Sequence, residues 1–494
     1  MPTEQTLNNQ STNTKDINKN KNQQFSWQEI EKQNTDSCSW LVINEKVYDI
    51  TNFAKSHPGG NMIRLGAGKD ASILFYSYHP QGINPQTLQK LQIGTVIPDP
   101  QYKSWYANME TDEFYNVLKS RVMDWFKEKN MTWKGESNKE MYIKTFLILL
   151  GYFTSLYCMI VYGSYLAAAF FGICSAEIGV SIMHDGSHGS FSKIKFFNWA
   201  TSWMMDMIGS SSYVWEVQHV SGHHIHTNND HNDNKLIEVD PDVFTSYPFI
   251  RMHPDSPRKW FHKYQHIYSL FLFALFTFTK VLYSDFSNFY YGAIMHLSMV
   301  PRLHSKGSWF RVFFMKFLTL SITLGLNFYF NGFWQGFKLY LTFHIFVGLI
   351  LALMFQVTHL SEGCTFIRDN NDAKITDIQQ YYIEKAQKKY GIKQVKKHDP
   401  RSWAVSQCHT AANWATSSWF WSHFSGGLNH QIEHHLFPFM CHVHYYGDIQ
   451  KIVEKTCAEY GVAYINHPTF GSAIKGLLNY LKQLGNPPTQ KKQQ

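Results

Sequence analysis

Residues 145–162 read TFLILLGYFTSLYCMIVY, residues 164–183 read SYLAAAFFGICSAEIGVSIM, and the next five are His184-Asp-Gly-Ser-His188. Each apolar run is about long enough to cross a bilayer core, which takes ~20 residues. Only Gly163 separates them, so they predict a hairpin whose return limb delivers two histidines to the membrane surface. A second pair follows at 312–330 and 339–358, joined around Asn331-Gly-Phe-Trp-Gln-Gly336. The pattern predicts four transmembrane helices in two hairpins. Residues 264–279, between Lys263 and Lys280, are apolar but short for a span. Histidine clusters before and after the second hairpin must meet on one side, so an even number of crossings separates them. The short run is therefore expected to be an interfacial or re-entrant helix. Flanking charge agrees: Lys144, Lys193, Lys195, Arg311 and Lys316 lie near the ends assigned to the cytosol, and the two tips carry only Lys338.

Three histidine groups accompany these spans: His184 with His188; His219 with His223 and His224; and Gln431-Ile-Glu-His434-His435. Spacings of three and four residues put side chains on one helix face, where they converge on one metal ion. Imidazole suits iron, zinc and copper, and this many neutral nitrogen donors could hold two ions. Asp185 and Glu433, inside the groups, could orient ligand imidazoles through their second nitrogen. Glu177 sits inside an apparent span on roughly the face of His184, and an intramembrane acid is a functional candidate by default. His226, His231, His423, His430, His442 and His444 lie near the groups but off the pattern, and are read as supporting or surface residues.

Residues 25–98 form a different, polar-surfaced unit. Residues 40–44 and 46–50 read as two strands with a short turn between. His57-Pro-Gly-Gly60 marks a tight turn whose glycines would let a haem approach the backbone. His79 follows a helix-like segment, and two imidazoles can hold a haem iron from both axial sides. Iron with six ligands has no open position, so such a haem would carry electrons rather than bind oxygen. Residues 1–24 read as a disordered leader. Residues 99–140 read as a linker with an amphipathic helix (Phe114, Val117, Leu118, Val122, Trp125). Residues 367–400 look like a charged, helix-prone insertion, and 481–494 form a polar tail.

The net charge of +8 forms no basic stripe, so nucleic acid is not an expected partner and an anionic membrane surface is the better fit. Seven cysteines without a paired CxxC argue against a disulfide framework or zinc ribbon and suit a reducing, cytosol-facing location.

Residues 25–98, with His57-Pro-Gly-Gly60, resemble cytochrome b5. The boxes HxxxH, HxxxHH and QxxHH, in this order around two hairpins, resemble the membrane fatty acid desaturases. Gln431 at the head of the third box, the fused haem domain and residues 419–438 (WFWSHFSGGLNHQIEHHLFP) are similar to the front-end branch. The resemblance implies a small α+β cytochrome b5 domain followed by an all-α integral membrane domain, at 141–480, with a cytosolic histidine-rich cap. It implies haem b on His57 and His79. It also implies two non-haem irons on His184, His188, His219, His223, His224, His434 and His435, with Gln431 near the site. The family further supplies a histidine at the end of the fourth span, and His359 fits that position. The implied location is the endoplasmic reticulum membrane, with haem domain and histidine boxes facing the cytosol.

Removing two hydrogens from an unactivated alkyl chain is beyond any side chain, whereas reduced iron with oxygen can do it. The implied activity is oxygen-dependent insertion of a cis double bond between an existing one and the carboxyl end of a fatty acyl chain. The chain would be carried on CoA or a phospholipid, and electrons would come from an NADH-cytochrome b5 reductase through the haem. Residues 218–228 (QHVSGHHIHTN) resemble delta-5 members more than delta-6 members; delta-4 and sphingolipid delta-8 activities stay open. A lipid hydroxylase shares the boxes and is the nearest rival. A metal transporter is a rival of another class, but it would need polar ligands inside the spans, where Glu177 and His344 are almost alone.

Overall fold

A computed structural model describes residues 23–102, 104–229, 240–243, 246–295, 297–298, 306–366 and 375–487. The expected leader up to residue 22, the first part of the insertion, the end of the tail and His231 lie outside the described residues.

The N-terminal unit is built on a four-stranded sheet of β1 (Gln24–Phe25), β2 (Trp40–Ile43), β3 (Lys46–Asp49) and β4 (Gln92–Val96), in the order β1-β4-β3-β2. β2 and β3 pair antiparallel, Ile43 opposite Lys46, across a two-residue turn. Asn44 and Glu45 both have positive φ there, as the tightest hairpin turns require. Two short helices, Ser72–Tyr78 and Pro85–Leu91, complete the unit, with Leu41, Ile43, Tyr48 and Ile50 buried beneath them.

Among the described residues, three helices are long and apolar enough to cross a membrane: Lys139–Tyr162, Tyr165–Ser187 and Trp309–His359. The third reverses at Gly332, whose backbone is non-helical (φ 72°, ψ 166°). Past the turn, Gly336 packs so closely on Asn327 that an added Cβ would lie 2.7 Å from its backbone. The two reversals dock on one another: the Asn331 amide donates to Ile160 O (2.8 Å) and that of Gln335 to Gly163 O (3.5 Å). Inward, Phe171, Tyr340 and Phe343 form a buried core. Outward, Phe146, Leu147, Leu150, Phe153 and Leu166 are more than half exposed, an apolar belt that in water would be an aggregation liability and in a bilayer is solvated.

The short apolar run is a bent pair, Trp260–Ala274 and Phe276–Tyr291, broken by 59°. It lies against the return limb of the long helix, where Thr277 Oγ1 is 3.0 Å from His344 Nδ1. A polar-faced cap covers the opposite end of the bundle from the reversals. Helix Glu113–Glu128 drives Phe114, Leu118, Val122 and Phe126 into a core with Trp403, Phe437, Tyr445 and Tyr460. Helix Asp377–Tyr390, from the expected insertion, packs on the cap through Ile383 and Ala386 and pairs Lys389 with Glu454 at 2.6 Å.

Candidate metal centre and haem crevice

The first histidine group rides on the return limb of the first hairpin. That limb widens to a π-helical turn at Ile178–Met183 and tightens again at His184–Ser187. The second group lies on another wide turn, Glu216–His223, where the His224 N–H bonds His219 O, five residues back. Ordinary α-helical spacing would set His223 beside His219. The five-residue turn also brings His224 to His219, their Nε2 atoms 3.2 Å apart, while His223, still stacked on His219 with centroids at 5.3 Å, reaches a second cluster. Such turns recur at functional sites. The third group forms a short buried helix, Gln431–Leu436, and His359 ends the long apolar helix.

These elements meet in one buried region at the cap end of the bundle. His184, His188, His219 and His434 bring ring nitrogens within 4.8 Å of one another; His223, His359 and His435 do the same next door. His224 lies between the two, its ring centroid 4.7 Å from that of His188 and 4.6 Å from those of His434 and His435. Gln431 belongs to the second cluster, its amide nitrogen placed 2.9 Å from both His359 Nε2 and His435 Nε2. Every candidate the sequence offered for the non-haem centre is thus brought together.

Six of the rings are anchored through Nδ1. His219 meets Asp242 (2.8 Å), His223 meets Asp240 (2.8 Å), His435 meets Gln407 (2.7 Å), and His359 meets Thr410 O (3.2 Å). His434 meets the Tyr445 hydroxyl (3.3 Å), and His188 the Tyr78 hydroxyl (2.6 Å). Nε2 is thereby turned inward, and on His188, His223 and His434 it has no partner. A buried nitrogen left unpaired costs ~1–3 kcal/mol, unless a cation takes its lone pair. Burial, reinforced by the neighbouring imidazoles, holds His188, His219, His224, His434 and His435 well below the usual histidine range, so they are neutral. His223 is the exception: against the effect of burial, the Asp240 carboxylate beside it raises it above the ordinary histidine value. Eight imidazoles with inward nitrogens, beside two buried carboxylates, fit two transition-metal cations.

The orienting carboxylates are not those expected from the sequence. Asp185 accepts from His442 Nδ1 (2.7 Å) and Cys441 (2.9 Å), not from a ligand ring. Glu433 accepts from Tyr464 (2.6 Å) and Asn413 (2.7 Å). Glu177 faces Lys144 (3.7 Å) and Ser181 (3.2 Å). The work falls to Asp240 and Asp242, in an Asp-Pro-Asp stretch beyond the second box. That pair of acids was the available signal. Of the off-pattern histidines, His442 serves Asp185, His444 Nε2 lies 2.8 Å from Glu136 O, His430 lies 3.0 Å from Ser422 Oγ, and His423 pairs with Glu140 (2.9 Å).

In the N-terminal unit the rings of His57 and His79 face each other, centroids 6.1 Å apart. Each turns Nδ1 to a carbonyl, His79 to Phe75 O (2.8 Å) and His57 to Gly60 O (3.3 Å). The opposed edges leave room for one metal ion with a bond of roughly 2 Å on each side. Burial first, then the facing His79, pushes His57 down to about 4, so it too is neutral. Gly59 makes the turn possible: a Cβ there would lie 2.9 Å from His57 Cε1. The pair fits a haem iron held on both axial sides.

Comparison with known proteins agrees with this geometry. The family model described as fatty acid desaturase matches residues 160–468, and that described as cytochrome b5-like heme/steroid binding domain matches 26–97. An acyl-lipid (8-3)-desaturase of Physcomitrium patens is 35% identical over 93% of this chain and 91% of its own. A probable Delta(5) fatty acid desaturase C of Dictyostelium discoideum is 31% identical over 94% and 95%. An sn-1 linoleoyl-lipid 6-desaturase of Synechocystis is 27% identical over 75% of this chain and 95% of its own.

Proposed function

We propose, for a chain that belongs to the fatty acid desaturase family and carries a cytochrome b5-like domain at its front, that it is a delta-5 front-end desaturase of polyunsaturated acyl chains. The observation that carries the reading is the pair of adjoining buried imidazole clusters beside a crevice with two opposed histidines. A transporter needs a path through the bundle, whereas these ligands are sealed at one end of it. The delta-5 assignment draws on the second box and on the Dictyostelium relative whose name carries Delta(5); delta-6 is the next reading.

When bound, two irons and dioxygen supply an oxidant able to take hydrogen from unactivated methylene carbons, and a haem supplies electrons singly. The chain's residues hold and shield that chemistry. His184, His188, His219 and His434 would hold one ion. His223, His359 and His435, with Gln431, would hold the other, and His224 faces both. Asp240 and Asp242 keep the hydrogen on Nδ1 of His223 and His219, so Nε2 offers its lone pair. Full burial of these rings excludes water, which would otherwise quench a strong oxidant. In balance, the acyl chain loses two hydrogens, and O2 with two electrons and two protons leaves as two waters.

The proposal has further parts. Four crossings, two per hairpin, set the clusters and the haem unit on one side, read as the cytosolic side of the endoplasmic reticulum membrane. An NADH-dependent reductase would reach the haem there, and the acyl chain, on CoA or a phospholipid, would enter from the bilayer. Expression in yeast fed defined unsaturated fatty acids, with double-bond location in the products, tests the proposal. A new bond at carbon five supports it. A product heavier by one oxygen would make the protein a hydroxylase, and a new bond at another carbon would move the regiochemistry.

A further inference from the structure

Among the described residues, the Nδ1 partners of the clustered histidines come from the desaturase part of the chain with one exception. His188 takes its partner from the haem unit: its Nδ1 lies 2.6 Å from the Tyr78 hydroxyl. The two rings are nearly parallel, 13° apart with centroids at 6.3 Å. Tyr78 is the last residue of helix Ser72–Tyr78, and the next residue is His79. One peptide bond therefore separates the haem-ligand candidate from a residue hydrogen-bonded to a metal-ligand candidate.

The contact is part of a fitted junction. Lys69 Nζ donates to Ser221 Oγ (2.6 Å), on the wide turn that carries His219 and His223, and Ser221 Oγ reaches Leu65 O (3.4 Å). Lys195 Nζ, just beyond the first histidine group, donates to His57 O (3.0 Å). Leu65 is buried with Val214, Val217 and Val220 of the second group's helix. Contacts from both haem-side loops thus fix where Tyr78 lies.

We propose that Tyr78 is a positioning residue of the metal centre, lent by the haem unit, and the link through which the haem feeds it. The inference rests on the desaturase reading above. A nitrogen that binds a cation keeps its lone pair, so His188 Nδ1 carries the hydrogen and donates to the Tyr78 oxygen. The path from His79 through the backbone and the Tyr78 ring to His188 then consists of covalent bonds and one hydrogen bond. Each passage would move one electron: a haem held by His57 and His79 would give up one, and an iron held by His188 would take up one. No bond is made or broken and no proton crosses. The fused haem unit is then more than a tethered donor, because a separate one could not supply the hydroxyl without reproducing the junction.

The test uses full-length purified protein carrying Tyr78→Phe, with Tyr76→Phe as control; the Tyr76 hydroxyl meets Asn44 (2.6 Å) and Glu110 and none of the clustered histidines. Three quantities are read: the haem spectrum and midpoint potential, non-haem iron per chain, and the rate at which pre-reduced haem is oxidised on mixing with oxygen and acyl substrate. Tyr78→Phe should keep the haem spectrum and potential while its haem oxidation slows about 10- to 100-fold, the usual effect of removing a partner behind a metal ligand. Slowing at full iron content assigns the electron link, and loss of iron with intact haem assigns the orientation of His188. Tyr76→Phe should match wild type in all three. Wild-type oxidation rate and iron content in Tyr78→Phe would overturn the proposal, as would loss of the haem spectrum, which would make Tyr78 a packing residue. Wild-type haem that is not oxidised faster with substrate present would overturn the desaturase reading instead.

Discussion

Asp240 is the most exacting place to perturb the metal centre without touching a ligand. Its carboxylate is fully buried and receives four donors. Oδ2 accepts from His223 Nδ1 (2.8 Å) and the Asn228 N–H (2.8 Å), and Oδ1 from the N–H groups of Asp242 (2.9 Å) and Val243 (3.2 Å). Asp240→Asn preserves shape but replaces one oxygen by an NH2 group that can only donate. Whichever way the amide turns, its NH2 faces two donors, and at least one pair is broken. Each buried group so stranded costs ~1–3 kcal/mol. If the amide oxygen stays with the backbone pair, the loss falls on His223, whose hydrogen is no longer fixed on Nδ1. Non-haem iron affinity should then drop about 10- to 100-fold, with the haem untouched. The assay is iron content of detergent-purified protein against increasing chelator, with the haem spectrum as internal standard and fatty acid products from the same cells. Wild-type iron retention and product yield in Asp240→Asn would refute the reasoning, because His223 would then need no anionic acceptor.

Three further outcomes follow from individual contacts. His359→Ala removes one of three rings in the second cluster, so non-haem iron should fall from about two per chain toward one, and desaturation about 100-fold or more, since the remaining donors no longer close the site; metal analysis reads this directly. Gly59→Ala sets a methyl against His57, which should abolish the low-spin haem spectrum while leaving the iron clusters filled. Burial raises Glu433 to about 7 from its ordinary 4.5, against the lowering effect of Tyr464. Between those pH values the folded state keeps a proton that the unfolded chain has released, so the contribution of Glu433 to stability falls as pH rises. Glu433→Gln should therefore flatten the decline of thermal stability across that window, with iron content unchanged; a slope equal to wild type would show that Glu433 does not titrate there.

The sequence by itself determined what depends on spacing along the chain. Two apolar pairs, each broken by a glycine, set out the hairpins, and the turns at Gly163 and Gly332 lie where the apolar runs pause. His57-Pro-Gly-Gly60 marked the haem turn, because only glycine leaves room beside the His57 ring. The three boxes, with His359 and Gln431, named the ligand candidates that the structure gathers, since imidazoles and amides close to an apolar limit are rare without a use. Tertiary structure decided which rings cluster together. Helical spacing pairs His219 with His223, and the two stay stacked; a wide turn contributes an extra residue that also brings His224 to His219 and lets His223 reach a second cluster, and nothing in the residue types announces that turn. It also decided what stands behind the rings. Asp185 and Glu433, adjacent in sequence, face away, because a helix projects neighbouring residues roughly 100° apart. Asp240 and Asp242 arrive instead from a loop, Gln407 from helix Trp403–His409, and Tyr78 from the haem unit. Such partners are chosen by the packing of distant segments, which spacing along one chain does not encode.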